Sequence, residues 1–124
     1  MGNIDPNTDD LINRLGKLVP VYVISLLGLV SAFFQAFYDI DPLQAQIAIY
    51  ITIVIGVIAT ILVETKRKDV DNKKQLVLAS ISTALWIFFI NIRFFDLAEI
   101  GQLWIQFGIA LYTFGIGILS KYIF

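Results

Sequence analysis

The chain has no histidine and no cysteine. It therefore lacks the commonest general base, the commonest metal ligand and the thiol nucleophile. Few remaining residues could do chemistry. Arg93, two residues after Asn91, is the only charge within reach of the hydrocarbon in an otherwise apolar run. An ionisable residue in such a place is a functional candidate. Asp96 stands three residues on, so an i,i+3 pair with a snorkelling stem is the plain expectation. The functional one is contact with an anion or a lipid phosphate. Four carboxylates, Asp39, Asp41, Asp96 and Glu99, fall in two short turns. In an assembly they could ring an opening and favour cations, or bind a hard divalent ion. Their spacing matches no calcium loop, so a solvated rim with no metal and no cofactor is expected. The third candidate is the stretch from Glu64 to Gln75. It holds Lys66, Arg67, Lys68, Lys73 and Lys74, five of the nine basic residues. It could hold anionic lipid, at roughly 1 kcal/mol per exposed cation. It could also dock an acidic partner, or serve only as a topology signal.

The elements that must position these residues are apolar. Of 124 residues, 58% are hydrophobic and mean hydropathy is +0.81, against roughly 45–50% apolar in soluble domains. The excess comes in blocks near the ~20 residues that span a bilayer. Four spans are expected, at about 18–38, 45–63, 76–95 and 103–120. Backbone groups in lipid need partners within their own segment, so these spans are helices. Residues 1–17 form a polar leader. Thr8 is expected to cap an amphipathic helix over Asp9–Gly16, with Asp9 and Asp10 in its first turn, lying on the membrane surface. Pro20 is expected in the first turn of the first span. The acidic leader and the missing small-x-small site do not read as a cleavable signal. The expected fold is thus an all-α integral membrane bundle: leader 1–17, then a four-helix domain 18–124.

Basic residues near span ends set orientation. Arg14, Lys17, Lys66, Arg67, Lys68, Lys73, Lys74 and Lys121 fall on one side, and Arg93 alone on the other. Both termini and the basic loop are expected in the cytoplasm, and the acidic turns outside. Phe37, Tyr38, Phe94, Phe95, Trp104, Tyr122 and Phe124 fall where interfacial aromatics are expected. Phe37–Ile40 is echoed by Phe94–Leu97, which leaves open an internal duplication or interface chemistry alone.

Small residues let helices approach closely in lipid. The first span carries Gly28, Ala32 and Ala36. The second carries Ala48, Thr52, Gly56 and Thr60 at four-residue spacing, and the third carries Ala79 and Thr83. The last carries Gly101, Gly108 and Gly115 seven apart, a period suited to a left-handed seam. That seam could serve helix one or a second copy. Gln35, Asn91 and Gln106 could bridge helices or line a polar vestibule, and Glu64 is expected to pair with Lys68. With no His, no Cys and no buried carboxylate, enzymatic work is not expected. Net charge −1 leaves no basic field for nucleic acid. The chain lacks the acid within the first helix of small multidrug-resistance exporters and the glycine motif of small fluoride channels; phage holins share its small, multi-spanning look, but it carries no holin motif and lacks their basic tail. Two functions are expected in turn. One is a homo-oligomeric anchoring subunit that offers its leader and basic loop to a cytoplasmic or virion protein or to anionic lipid. The other is a holin-like or defence-effector-like pore. The membrane would be a bacterial inner membrane or a virion membrane derived from it.

Orientation is directly testable. In Asp41→Cys, an impermeant maleimide should label intact cells; labelling only after lysis reverses the assignment.

Overall fold

The computed structural model describes residues 2–124, and no strand occurs among them. Six α-helices follow in order: α1 (Leu11–Leu18), α2 (Val21–Gly28), α3 (Ser31–Ile40), α4 (Pro42–Leu62), α5 (Lys73–Ile90) and α6 (Glu99–Ile123). A π turn, Val63–Arg67, continues α4, and a 3-10 turn, Ile92–Phe94, follows α5. Three helices are long and apolar enough to cross a bilayer: α4 with its π turn, α5 and α6. The pair α1–α2, bent by 50°, brings the number to four if it is one span. Helices of this length and hydropathy associate the chain with a membrane.

The helix ends show where local chemistry overrides a hydropathy count. The leader helix starts later than expected: Asp10, not Thr8, is its cap, with Oδ1 accepting from the Asn13 amide at 2.8 Å. It runs to Leu18, inside the expected first span. Pro20 then stops it. The residue before a proline is pushed out of the helical region, and Val19 is extended at φ −114°, ψ 104°. Pro20 caps α2 instead of lying within a longer helix. A second hitch falls at Leu29 and Val30, where the amides bond three residues back to Leu26 and Leu27 while both residues stay in the right-handed helical region. Asp41 caps α4 through the Leu43 amide at 3.1 Å, with Pro42 as first helical residue. α5 ends at Ile90, five residues short of the expected span. Asn91 folds its amide back onto the Ile87 carbonyl at 2.8 Å, offering the backbone an alternative to the helix ladder.

The bundle is up-and-down. α2 and then α3 run antiparallel along α4, with Tyr22 beside Glu64, Leu27 beside Gly56, and Phe34 packed with Ala45 and Ile49. α5 packs on α4 more extensively than any other pair of helices. Its contact centres on the small-residue ladder, where Thr52, Gly56 and Thr60 of α4 and Ala79 and Thr83 of α5 are all buried. A Cβ at Gly56 would lie 2.8 Å from both Ile87 Cδ1 and Leu27 Cδ1, so helices of three segments meet over that hydrogen. One turn away, the Thr60 and Thr83 hydroxyls are 2.8 Å apart, each also near a carbonyl of its own helix. One hydroxyl donates across and the other donates back. α6 packs along α5 through Trp86 Nε1, which donates to Thr113 Oγ1 at 2.9 Å, and Gln106 Nε2, which reaches the Phe89 carbonyl at 3.4 Å.

Within the single chain, several small residues and aromatics pack otherwise than their spacing suggests. Gly28, Ala32 and Ala36 are exposed; the first hairpin turns Val23, Ile24 and Phe34 inward. Since α4 is the side that supplies the hollows, α2 and α3 supply the bulk. Gly101, Gly108 and Gly115 have no neighbour within 4 Å of a built Cβ. Gly117 does the close packing instead, with Leu15 Cδ2 2.5 Å from its built Cβ and Leu11 Cδ1 at 3.1 Å. Phe94 and Phe95 are buried. With α5 ended early they fold into the core around Phe34, Ala45 and Ile49. Their counterparts in the sequence echo, Phe37 and Tyr38, lie on a continuous helix, so the two motifs take different structures.

Gly56→Leu should destabilise the bundle by about 3 kcal/mol through overpacking, read as a lower unfolding temperature in detergent. Gly108→Leu, which meets no neighbour in the chain, should change it by less than about 0.5 kcal/mol. Equal effects would refute the close contact at Gly56.

Candidate functional site

The polar chemistry of the protein collects at the end that carries the basic loop. Gln75, in the first turn of α5, is 1% exposed. Its Oε1 accepts from the Ile4 amide at 2.7 Å and its Nε2 donates to the Gly2 carbonyl at 3.0 Å. Asn3 donates to the Asp71 carboxylate, while its own Oδ1 accepts from the amides of Asp71 and Asn72 at 3.2 Å each. Asn72 in turn caps α5, accepting from the Lys74 and Gln75 amides at 3.0 and 3.3 Å. The leader is thus bound to the basic loop by side chains that mimic backbone pairing.

The leader helix is bound at its other face to the end of α6. Arg14 is buried there. Its Nε donates to Ser120 Oγ at 2.8 Å and to the Gly117 carbonyl at 3.2 Å, and Nη1 donates to the Asp9 carbonyl at 2.8 Å. A guanidinium over the last turn of a helix meets the negative end of its dipole. Lys17 joins the Asp9 carboxylate at 2.7 Å to the Asn3 carbonyl at 3.1 Å. The Lys17 ammonium, then the Asp5 amide, hold the Asp9 carboxyl below its ordinary value of 3.8. Ile4, Leu18 and Ile116 form the apolar layer beneath. The leader helix therefore packs α1 on α6, with Ile12 pointing away at 78% exposure. Its polar stripe includes Arg14, whose partners Gly117 and Ser120 are on α6.

A second cluster sits where α4 ends. Glu64, 2% exposed, accepts from the Tyr22 hydroxyl at 2.6 Å and pairs with Lys68 at 3.6 Å. The Lys68 ammonium lies 4.0 Å from the centre of the Tyr22 ring. The Glu64–Lys68 pair agrees with its i,i+4 spacing. The burial corrects the expectation that no carboxylate is buried. A π turn widens the helix here, the Val70 amide closes onto the Glu64 carbonyl at 2.9 Å, and Asp69 turns the chain at φ 55°. The result turns Glu64 towards α2.

The remaining candidates separate. Lys66, Arg67, Lys73 and Lys74 are exposed. Lys66 and Arg67 belong to the π turn and Lys73 and Lys74 to the start of α5, so the loop proper is shorter than the stretch 64–75. At the opposite end, the four carboxylates are each used locally. Asp39 accepts from Gln35 at 2.9 Å, Asp41 caps α4, Asp96 accepts from the Tyr38 hydroxyl at 3.2 Å, and Glu99 occupies the first turn of α6. Among the described residues, no three acidic side chains come together as a metal would require. The expected Arg93–Asp96 pair does not form. α5 has already ended, so helical spacing no longer relates the two, and Arg93 lies over the Phe94 ring at 4.7 Å. Of the three amides, only Gln106 bridges helices; Gln35 and Asn91 bond within their own.

Sequence reasoning missed Gln75, Asn3, Arg14 and Ser120. Their signal was weak: a polar residue at the edge of an apolar block, which is equally the mark of an interface. No family model, no curated protein and no solved structure matches the chain.

Gln75→Ala should leave the Ile4 amide and Gly2 carbonyl unpaired, costing about 1–3 kcal/mol, and should raise hydrogen exchange over residues 2–18 selectively. In the wild type, protection of the same amides relative to their intrinsic exchange rate should fall as pH drops below about 3.8. Asp9 has a lowered folded value, so its contribution is complete above the ordinary carboxylate value and lost on acidification through the folded one. Uniform exchange in the variant would overturn the clasp.

Proposed function

We propose that the chain is a non-enzymatic, polytopic anchoring subunit. In this reading α2 and α3, rather than the bent pair α1–α2, form the first of four spans, both chain ends face the cytoplasm, and the acidic turns face outward. The register of α2–α3 along the whole of α4 supports the four-span count, since the pair matches that helix from Glu64 to Ala45. The observation that carries the function is the division of labour between the two ends. Glu64, Arg14 and Gln75 are all consumed in internal bonds that brace the basic end. Lys66, Arg67, Lys73 and Lys74 are left exposed on that braced platform. Exposed cations on a rigid end suit an acidic protein surface or anionic lipid. Nucleic acid is a poor partner for a chain of net charge −1. The host membrane in this reading is a bacterial inner membrane, or a virion membrane derived from one.

A pore is the second reading, and one observation favours it. Gly101, Gly108 and Gly115 form a row along α6 that no part of the chain covers. A second copy could pack there and draw the outer carboxylates around an axis.

Liposomes separate the two. An anchor should leave a trapped dye sealed in and should retain a partner that Lys66→Gln and Arg67→Gln release. A pore should leak the dye, and Gly108→Leu should stop the leak while assembly persists.

A further inference from the structure

We propose that the start of α5 is a binding site for one anionic phospholipid, its phosphate at Lys73 and Lys74 and its acyl chains in two grooves either side of Val77. The first groove, of about 430 Å³, is walled by Ile61 of α4 and by Leu76, Ser80 and Ile81, with Lys73 at its head. The second, of about 360 Å³, has Leu78 and Ile123 as its walls, with both lysines at its head. Val77 lines both and forms the ridge between them. Both are shallow, open grooves on the helix surface, as acyl chains lying along a helix require. Two apolar troughs meeting under two cations match an anionic diacyl lipid in shape as well as charge.

Electrostatics favour the same ligand. Among the described residues, the only ion pairs are Lys17–Asp9 and Lys68–Glu64, so neither Lys73 nor Lys74 is paired. The first turn of α5 contains no acid, and its helix dipole adds positive potential there. The nearby Asp71 carboxylate is held by Asn3. Lysine stems line the grooves while the ammonium groups can reach headgroup level. An acidic protein would match the lysines and leave the troughs empty; a diacyl lipid fills both. The site rests on the orientation proposed above, which puts this end at the cytoplasmic leaflet, where anionic lipid is found.

Native mass spectrometry of the full chain in detergent tests this, with phosphatidylglycerol and phosphatidylcholine as the probes. One phosphatidylglycerol should be retained and phosphatidylcholine should not. Lys73→Gln with Lys74→Gln should weaken retention about 25-fold, from two charges at roughly 1 kcal/mol each and 1.4 kcal/mol per tenfold. Lys66→Gln with Arg67→Gln, whose side chains line neither groove, should weaken it far less. Equal losses from both pairs, or no retained lipid, would overturn the site. As a check independent of the lysines, Val77→Trp should be quenched by phosphatidylglycerol with brominated chains and not by brominated phosphatidylcholine; equal quenching would overturn the acyl seating. Dye leakage would count against the anchoring reading and leave the lipid count readable, so the two fail separately.

Discussion

The close contact at Gly56 is the constraint on which the rest of the bundle depends. In lipid there is no hydrophobic gain from bringing two apolar helices together, so packing and a few polar bonds must suffice. A missing side chain at Gly56 lets Ile87 and Leu27 reach the same point from two different helices. The Thr60–Thr83 pair beside it adds a polar bond where no water competes. With α4 held between α2–α3 and α5, the orientation of three elements is settled at one level of the bundle. The aromatic cluster around Phe34 and Phe94 then closes the acidic end.

α6 is held differently. It rests on α5 through scattered polar contacts, Trp86 to Thr113 and Gln106 to the Phe89 carbonyl. Its firm attachment is at the basic end, where Leu11 and Leu15 close over Gly117 and Arg14 bonds the Gly117 carbonyl and the Ser120 hydroxyl. The leader therefore ties the last helix to the start of α5, and the chain's first residues complete its last contacts. Such a strap joins the two parts of the molecule most distant in sequence. It also explains the placement of so many side-chain-to-backbone bonds in residues 2–18. Before α1 the segment lacks regular structure, so its Ile4 and Asp5 amides are satisfied by the side chains of Gln75 and Asp9.

The half of α6 at the acidic end contrasts with this. Leu103, Trp104 and Phe107 are exposed, and the glycine row faces no neighbour. One end of the protein is braced and charged, and the other leaves a helix face open to the bilayer. The anchoring role proposed above would use the first property, and a second copy would use the second.

By itself, the sequence determined the helical class, the membrane character, the small-residue ladder of α4 and the Glu64–Lys68 pair. Each depends on composition or on spacing within one helix, and short-range geometry makes such spacing decisive. The stop at Pro20 was also written there, since proline acts on its immediate neighbour; hydropathy counted it into a span because a span tolerates one proline near its start. Only the tertiary structure decided which glycines touch anything. Gly28, Gly108 and Gly117 all sit in apolar helices, and only Gly117 is packed, because Leu11 and Leu15 arrive from the leader. The burial of Arg14, Gln75 and Glu64 was decided in the same way. Each looks like a polar residue at a membrane edge until a distant segment supplies its hydrogen-bond partner, and no spacing rule links residues 71 or 106 positions apart.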